Sequence, residues 1–147
     1  MHRTRDPALF NALANRPHIR ATFAHHMPAD EVFDFGPMIA DDRNIFLSNG
    51  VDACSFYTPI GPVVYDGHSL TDTTCRGRRA IEAGRQSLAW FWSHTDAELV
   101  TGSTPIELKA ARWFNRQMGF VSAGRYLRRG HLGDYWCEGF YAARPPV

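Results

Sequence analysis

Between Gly77 and Ser93 the chain carries Ala80, Ile81, Gly84, Leu88, Phe91 and Trp92 at spacings of three and four, with Arg78, Arg79, Arg85 and Gln86 largely elsewhere. That period describes a long helix with one apolar face, and such a face must be buried against something. Strand-like runs flank it: Val63–Thr71 before, and Ala97–Gly102 (AELVTG) after. A strand, a long helix and a strand in that order predict a sheet with the helix packed on it. Most all-helical and all-β architectures are excluded by this one segment.

The remaining elements arrange themselves around it. Asp6-Pro7 opens a first helix by the acidic-cap-then-proline rule, with Leu9, Phe10, Leu13 and Ala14 as its stripe and Asn15-Arg16-Pro17 as its stop. Ile19–Phe23 adds a short turn, and residues 27–43 read as loop with one helical turn near Gly36–Ala40. Asn44–Ser48 and Val51–Thr58 read as strands joined by a two-residue Asn49-Gly50 hairpin. Thr104-Pro105 predicts the start of another helix, with Leu108, Ala111, Phe114 and Met118 as its apolar face and Gly119-Phe120 as its close. A strand then runs to Leu127, Arg128–Asp134 turns, and Tyr135–Ala142 alternates as a last strand. The expectation is a single α/β (α+β) domain over residues 1–147 with a mixed sheet.

Composition narrows the function classes. At 147 residues, 44% hydrophobic and 21% charged, the chain is an ordinary globular length and mixture. Sixteen basic against fifteen acidic residues give a net charge of +1, which removes bulk electrostatics as a reason to propose nucleic-acid or membrane binding. Cys54, Cys75 and Cys137 are odd in number and form no C-x-x-C pair, so neither a disulfide framework nor a zinc site is expected. No run approaches the ~18–20 apolar residues of a membrane span, and residues 1–27 are broken by charges and proline. A cytoplasmic location follows as the expectation.

Two clusters carry chemistry. Arg76-Gly77 stands where the long helix begins, and a helix start presents unpartnered N–H groups with partial positive charge. Glycine lets an anion approach that backbone closely, so the turn reads as a phosphate cradle. Its alternative is a solvated first turn. On the preceding strand, alternation puts Asp66, His68 and Leu70 on one face and Tyr65, Gly67 and Ser69 on the other. An imidazole titrates near ~6.5 and can take a proton near neutral pH, so His68 is a candidate general base with Asp66 as its orienter or substitute. The competing reading is a strand histidine satisfied by a neighbouring hydroxyl. His25-His26 lack a third ligand at useful spacing and read as surface loop, with no metal expected. Trp90, Phe91, Trp92 and Trp113 read as core.

The order strand, Arg-Gly turn, long helix, strand, helix, Gly-Phe, strand across Tyr65–Phe120 resembles the GNAT superfamily of acetyl-CoA-dependent N-acyltransferases. LFNALANRPHIR, YDGHSLTDTTCRGRRA and FWSHTDAELVTGSTPIELKAA are similar, more narrowly, to small GNAT-like proteins of tailed bacteriophages. The resemblance implies a GNAT fold, a central mixed, mostly antiparallel sheet flanked by helices. It also implies acetyl-CoA as co-substrate and an amine as acceptor. The pyrophosphate would sit on Cys75, Arg76, Gly77, Arg78, Arg79 and Ala80, and the pantetheine arm along the backbone of Ser69, Leu70 and Thr71. Ala111 and Asn115 belong to the second motif, TPIELKAARWFNRQMGF, where Ala111 and Gly119-Phe120 match the family pattern. Thr74, Arg79, Leu108 and Asn115 depart from it. Where Asn115 stands the family has a tyrosine that protonates the departing thiolate. Either Tyr126 or a water then serves as the acid, or the chemistry has been lost. The two functional expectations are an N-acyltransferase using direct attack and a non-catalytic phage protein for virion assembly or binding. A homodimer pairing through Tyr135–Tyr141 is a further expectation.

Overall fold

The computed structural model describes residues 1–147. Seven strands form one sheet in the order β1-β2-β3-β4-β5-β7-β6. They are β1 (His2–Arg3), β2 (Ile45–Ser48), β3 (Ala53–Pro59), β4 (Val64–Thr71), β5 (Leu99–Pro105), β6 (Val121–Gly130) and β7 (Gly133–Ala143). Five helices accompany them: α1 (Ala8–Ala14), α2 (Pro17–Arg20), α3 (Gly36–Ile39), α4 (Arg78–His94) and α5 (Lys109–Gln117). A single 3-10 turn, Ala21–Phe23, follows α2.

Alternation along the strands sorts the core into two layers. Phe46, Cys54, Phe56 and Leu70 meet Phe10, Leu13, Ala14, Ile19, Phe35 and Ile39 on the face covered by α1, α2 and α3. Ile45, Leu47, Tyr57 and Val100 meet Phe91 and Ala97 on the face covered by α4. Strand β2 is buried on both faces and reads as a continuous run for that reason. Gly84 lets α4 and α5 approach: a Cβ there would lie 2.5 Å from the Met118 sulfur.

Every strand pair is antiparallel except β4 with β5, which run parallel and pair only over Val64–Asp66 with Leu99–Thr101. Beyond Asp66 and Thr101 the two strands part. That opening places the site.

Several expectations change against the structure. Thr104-Pro105 does not start a helix: both are the last residues of β5, opposite Glu138 and Cys137. Proline is tolerated at a strand's end, and α5 begins only at Lys109, behind Leu108. The Asn49-Gly50 hairpin is wider than two residues. The Asn49 side-chain oxygen accepts N–H groups from Val51, Asp52 and Ala53, and Gly50 takes φ +79°. The turn expected at Arg128–Asp134 shrinks to His131-Leu132, because β6 and β7 stay paired out to Gly130 and Gly133. Strand β7 is hydrogen-bonded on both sides, so Tyr135–Tyr141 cannot pair across a dimer; the edge strand beside it is β6. The Leu108, Phe114 and Met118 face of α5 is half-buried, not core, and Trp113 is exposed.

Two long-range ties fix the outer elements. Arg144 donates to the carbonyls of Trp92, Ala97 and Thr95 at 2.6, 2.7 and 2.5 Å, binding the last segment to the C-terminal end of α4. Glu138, buried on β7, accepts from Arg112 (2.7 Å), Arg116 (2.6 Å) and Ser122 (2.7 Å), which anchors α5 over the sheet. Burial would raise its pKa, but the hydroxyl and the two guanidinium groups win and bring it down to about 2 from 4.5. The stability it adds is therefore complete above the unfolded value and lost as the pH falls from 4.5 toward 2. Thermal unfolding followed from pH 7 to pH 2 should show this as an acid limb that flattens in Glu138→Gln. An unchanged limb in that variant would remove Glu138 as its source.

Candidate active site

Where β4 and β5 part, a cleft of about 1460 Å³ opens, walled by α5 on one flank and by β6, α2 and the following turn on the other. Gly67 stands at the fork. A Cβ on it would meet the Val100 side chain at 2.9 Å and Tyr57 at 3.2 Å, so the strands close below it and spread above. Ser69, Leu70 and Thr71 continue along the cleft wall. The Leu70 side chain is buried in the core, which leaves only its backbone for the cleft. Ser69 shares a hydroxyl contact of 3.1 Å with Ser55.

The start of α4 forms one end. Gly77 precedes the helix at φ +57°, ψ −131°, a conformation glycine adopts freely, and no side chain caps the helix. Arg76 and Gly77 line the cleft together with Ala80. The N–H groups of Arg78, Arg79 and Ala80 belong to the first turn, which has no acceptor of its own. The guanidinium of Arg79 is drawn back to buried Asp52 at 3.0 Å, whereas Arg76 and Arg78 are exposed and form no ion pair. Cys75 is fully buried, its N–H donates to the Asp72 carbonyl at 2.9 Å, and burial raises its thiol pKa. It is a structural member of the turn.

Asp52 is the residue the sequence concealed. It accepts from Asn49 and Thr74 at 2.9 Å each and pairs with Arg79, so it pins the cradle turn to the β2–β3 loop. The Asn49 hydrogen bond is the main force lowering its pKa against burial, with Thr74 and Arg79 adding to it. Asp72 reinforces the turn by pairing with Arg16 at 2.5 Å.

Across the sheet, Asp66 and His68 lie together, with His68 Nε2 2.8 Å from Asp66 Oδ2. The imidazole stacks on Phe56, ring centroids 4.7 Å apart and planes 16° from parallel. Both side chains are about one-third exposed and line the cleft. The pair can accept a proton from a group entering the cleft, with the carboxylate steadying the resulting cation.

On the α5 flank, Ala111 and Asn115 both face the cleft, as their i, i+4 spacing requires. Asn115 donates to the Thr104 hydroxyl at 3.0 Å. On the other side of β5, the Tyr126 hydroxyl hydrogen-bonds Ser103 at the cleft edge. The two candidate positions for an acid thus bracket the splayed end of β5.

His25 and His26 occupy a surface turn, yet their rings are docked. His25 stacks on Tyr135 at 3.9 Å and bonds Glu107 at 2.6 Å. His26 Nε2 meets the Tyr135 hydroxyl at 3.0 Å. Nothing local in His25-His26 announces this, since the partners lie more than 80 residues away.

This architecture is the GNAT fold. In the spermidine N-acetyltransferase of Vibrio cholerae in complex with CoA and spermine the likeness has a TM-score of 0.73 at 14% identity, over 95% of this chain and 90% of that one. A GNAT-family acetyltransferase of Bacillus anthracis gives 0.70 at 10% identity, over 95% and 91%. An aminoglycoside acetyltransferase in complex with coenzyme A and kanamycin gives 0.67 at 16% identity, over 95% and 90%. No family model and no curated protein sequence matches the chain. At these identities the likeness is one of fold.

Proposed function

We propose that the protein is an acetyl-CoA-dependent N-acetyltransferase acting on an amine by direct attack. The observation that carries this reading is the cleft itself: one opening joins the uncapped start of α4 to the Asp66–His68 pair. Neighbours of the same fold bind CoA together with spermine or kanamycin. The backbone of Arg76–Ala80 and the Arg76 side chain hold the pyrophosphate, and Ser69–Thr71 offer backbone groups to the pantetheine arm. In the transfer the amine nitrogen bonds to the thioester carbonyl carbon and the carbon–sulfur bond breaks. His68, oriented by Asp66, takes the amine proton, and the thiolate takes one from Tyr126 or water. A thiol pKa near ~8.5 makes that thiolate a tolerable leaving group.

Thermal unfolding with and without acetyl-CoA is the direct test, combined with release of free thiol in the presence of amines. A ligand that binds only the folded state must raise its apparent stability. An unchanged midpoint at millimolar acetyl-CoA would overturn the reading.

Asn115 favours a second reading, a phage-encoded protein of this fold that binds without catalysis, as a virion assembly factor or adaptor. An amide cannot donate the proton that a phenol can. Asn115→Tyr separates the two: in an enzyme the phenol replaces the Thr104 contact, enters the cleft and raises the rate of thiol release by about 10²-fold, the low end of general acid catalysis. In a binding protein the folded variant stays flat.

A homodimer would form through β6, whose residues Val121–Arg129 are all exposed. Leu127 and Trp136, opposite each other on one face, are each 51% exposed. Sedimentation should give a dimer that Leu127→Arg converts to monomer.

A further inference from the structure

We propose that the amine accepted in this cleft carries an anionic group, which Arg128 receives with His26. The inference rests on the reading of the cleft as an acetyltransferase site and names its acceptor class.

Charge balance is the first argument. Two carboxylates line the cleft, and each is already matched by a histidine: Asp66 by His68 at 2.8 Å and Glu107 by His25 at 2.6 Å. Arg76, Lys109 and Arg128 line the same cleft, and none of them has a carboxylate within 4 Å. Arg76 belongs to the cradle. Arg128 stands on the flank of the α2 turn, with no counter-charge.

Placement is the second. Arg128 follows Tyr126 by two residues on β6, so both side chains take the same face, opposite Tyr135 and Cys137 in register. Tyr135 is buried and holds His26 by the 3.0 Å hydroxyl contact. That is also the face of Asp66 and His68 on β4.

The field at His26 agrees. Burial first, then the Arg128 guanidinium and the neighbouring His25, His68 and His131, lower its pKa below 6.5, so one fixed cation and three imidazoles surround it from β6, β4 and both flanking turns. Tyr135, also facing it, is neutral at pH 7, its pKa raised by burial.

Strand order sets the reach. From β4 to β6 is three strand spacings, at least about 14 Å of backbone separation because β4 and β5 part beyond Asp66, and the long arginine stem covers part of it. The anion is therefore several bonds from the reacting amine, as in an ω-amino acid or a peptide, and not on the neighbouring carbon. A carboxylate and a phosphate both suit a guanidinium fork.

The test compares primary amines of matched length and basicity on the CoA-dependent reaction: ω-aminocarboxylates, aminoalkyl phosphates, alkylamines and diamines. One anionic series should exceed the alkylamines in kcat/KM by about 10–100-fold, and whichever does so names the anion. Arg128→Gln should bring that ratio to about one through KM, and Arg128→Glu should turn the preference to diamines, with circular dichroism confirming the fold of both. A wild-type preference for diamines or alkylamines, or a ratio indifferent to Arg128→Glu, overturns the proposal. Calorimetry on the CoA-saturated protein decides it separately from catalysis. If no amine is acetylated, the acetyltransferase reading falls. Anion-bearing amines that still bind tighter than alkylamines, in a manner lost in Arg128→Gln, then uphold the anion site, and equal or absent binding removes it.

Discussion

His68→Ala is expected to lower turnover by about 10²–10⁴-fold, the usual worth of a positioned general base, with CoA affinity close to wild type. The reason is geometric. His68 faces the cleft, Asp66 Oδ2 sits 2.8 Å from its Nε2, and Phe56 fixes the ring plane from behind. Removing the ring also leaves Phe56 uncovered, which can weaken the fold. Asp66→Asn guards against that confusion because it keeps volume and packing. Without the carboxylate the imidazole loses the partner that orients it, so turnover should fall while CoA affinity and fold stay near wild type. Turnover identical in wild type and Asp66→Asn, with His68→Ala merely unfolded, would make His68 a packing residue.

Much of this arrangement was legible from local pattern, and the parts that were not share a cause. Helix α1, the long helix α4 and strand β4 each announce themselves by a period and a boundary residue, and the face shared by Asp66 and His68 follows from alternation alone. The start of α5 misled because Thr104-Pro105 has the chemistry of a helix cap. Pairing with Glu138 and Cys137, more than 30 residues on, overrode that local preference. Strand β1 is two residues long and exists only through Ser48 and Leu47. Asp52, Glu138 and Arg144 act entirely through distant partners, so no spacing rule could find them. The docking of His25 and His26 on Tyr135 has the same character. Their pairing depends on where β6 and β7 fold back, and the proposed acceptor pocket depends on it too.

Gly77→Glu should reduce acetyl-CoA affinity by about 10³-fold, and the structure shows how to separate that effect from strain. Gly77 adopts φ +57°, ψ −131°, which costs any L side chain on the order of 1–3 kcal/mol. Space is not the obstacle, since a Cβ there meets nothing within 4 Å. Both Gly77→Ala and Gly77→Glu therefore carry the backbone strain and should unfold earlier than wild type by similar margins. Only the glutamate adds a negative charge at the mouth of the cradle, beside the free N–H groups of the first α4 turn. Losing two charge-assisted hydrogen bonds costs about 3–6 kcal/mol, with repulsion of the pyrophosphate in addition, whereas alanine forfeits at most a close approach. Calorimetry should thus rank wild type, then Gly77→Ala within about tenfold, then Gly77→Glu far below, while far-ultraviolet circular dichroism stays near wild type for all three. Equal affinities for the two variants would mean that the backbone shape, not an anion site, governs binding at this helix start. Dephospho-CoA sharpens the distinction, because it keeps the pyrophosphate and lacks the ribose phosphate. If the cradle holds the pyrophosphate, the penalty in Gly77→Glu must be the same for CoA and dephospho-CoA.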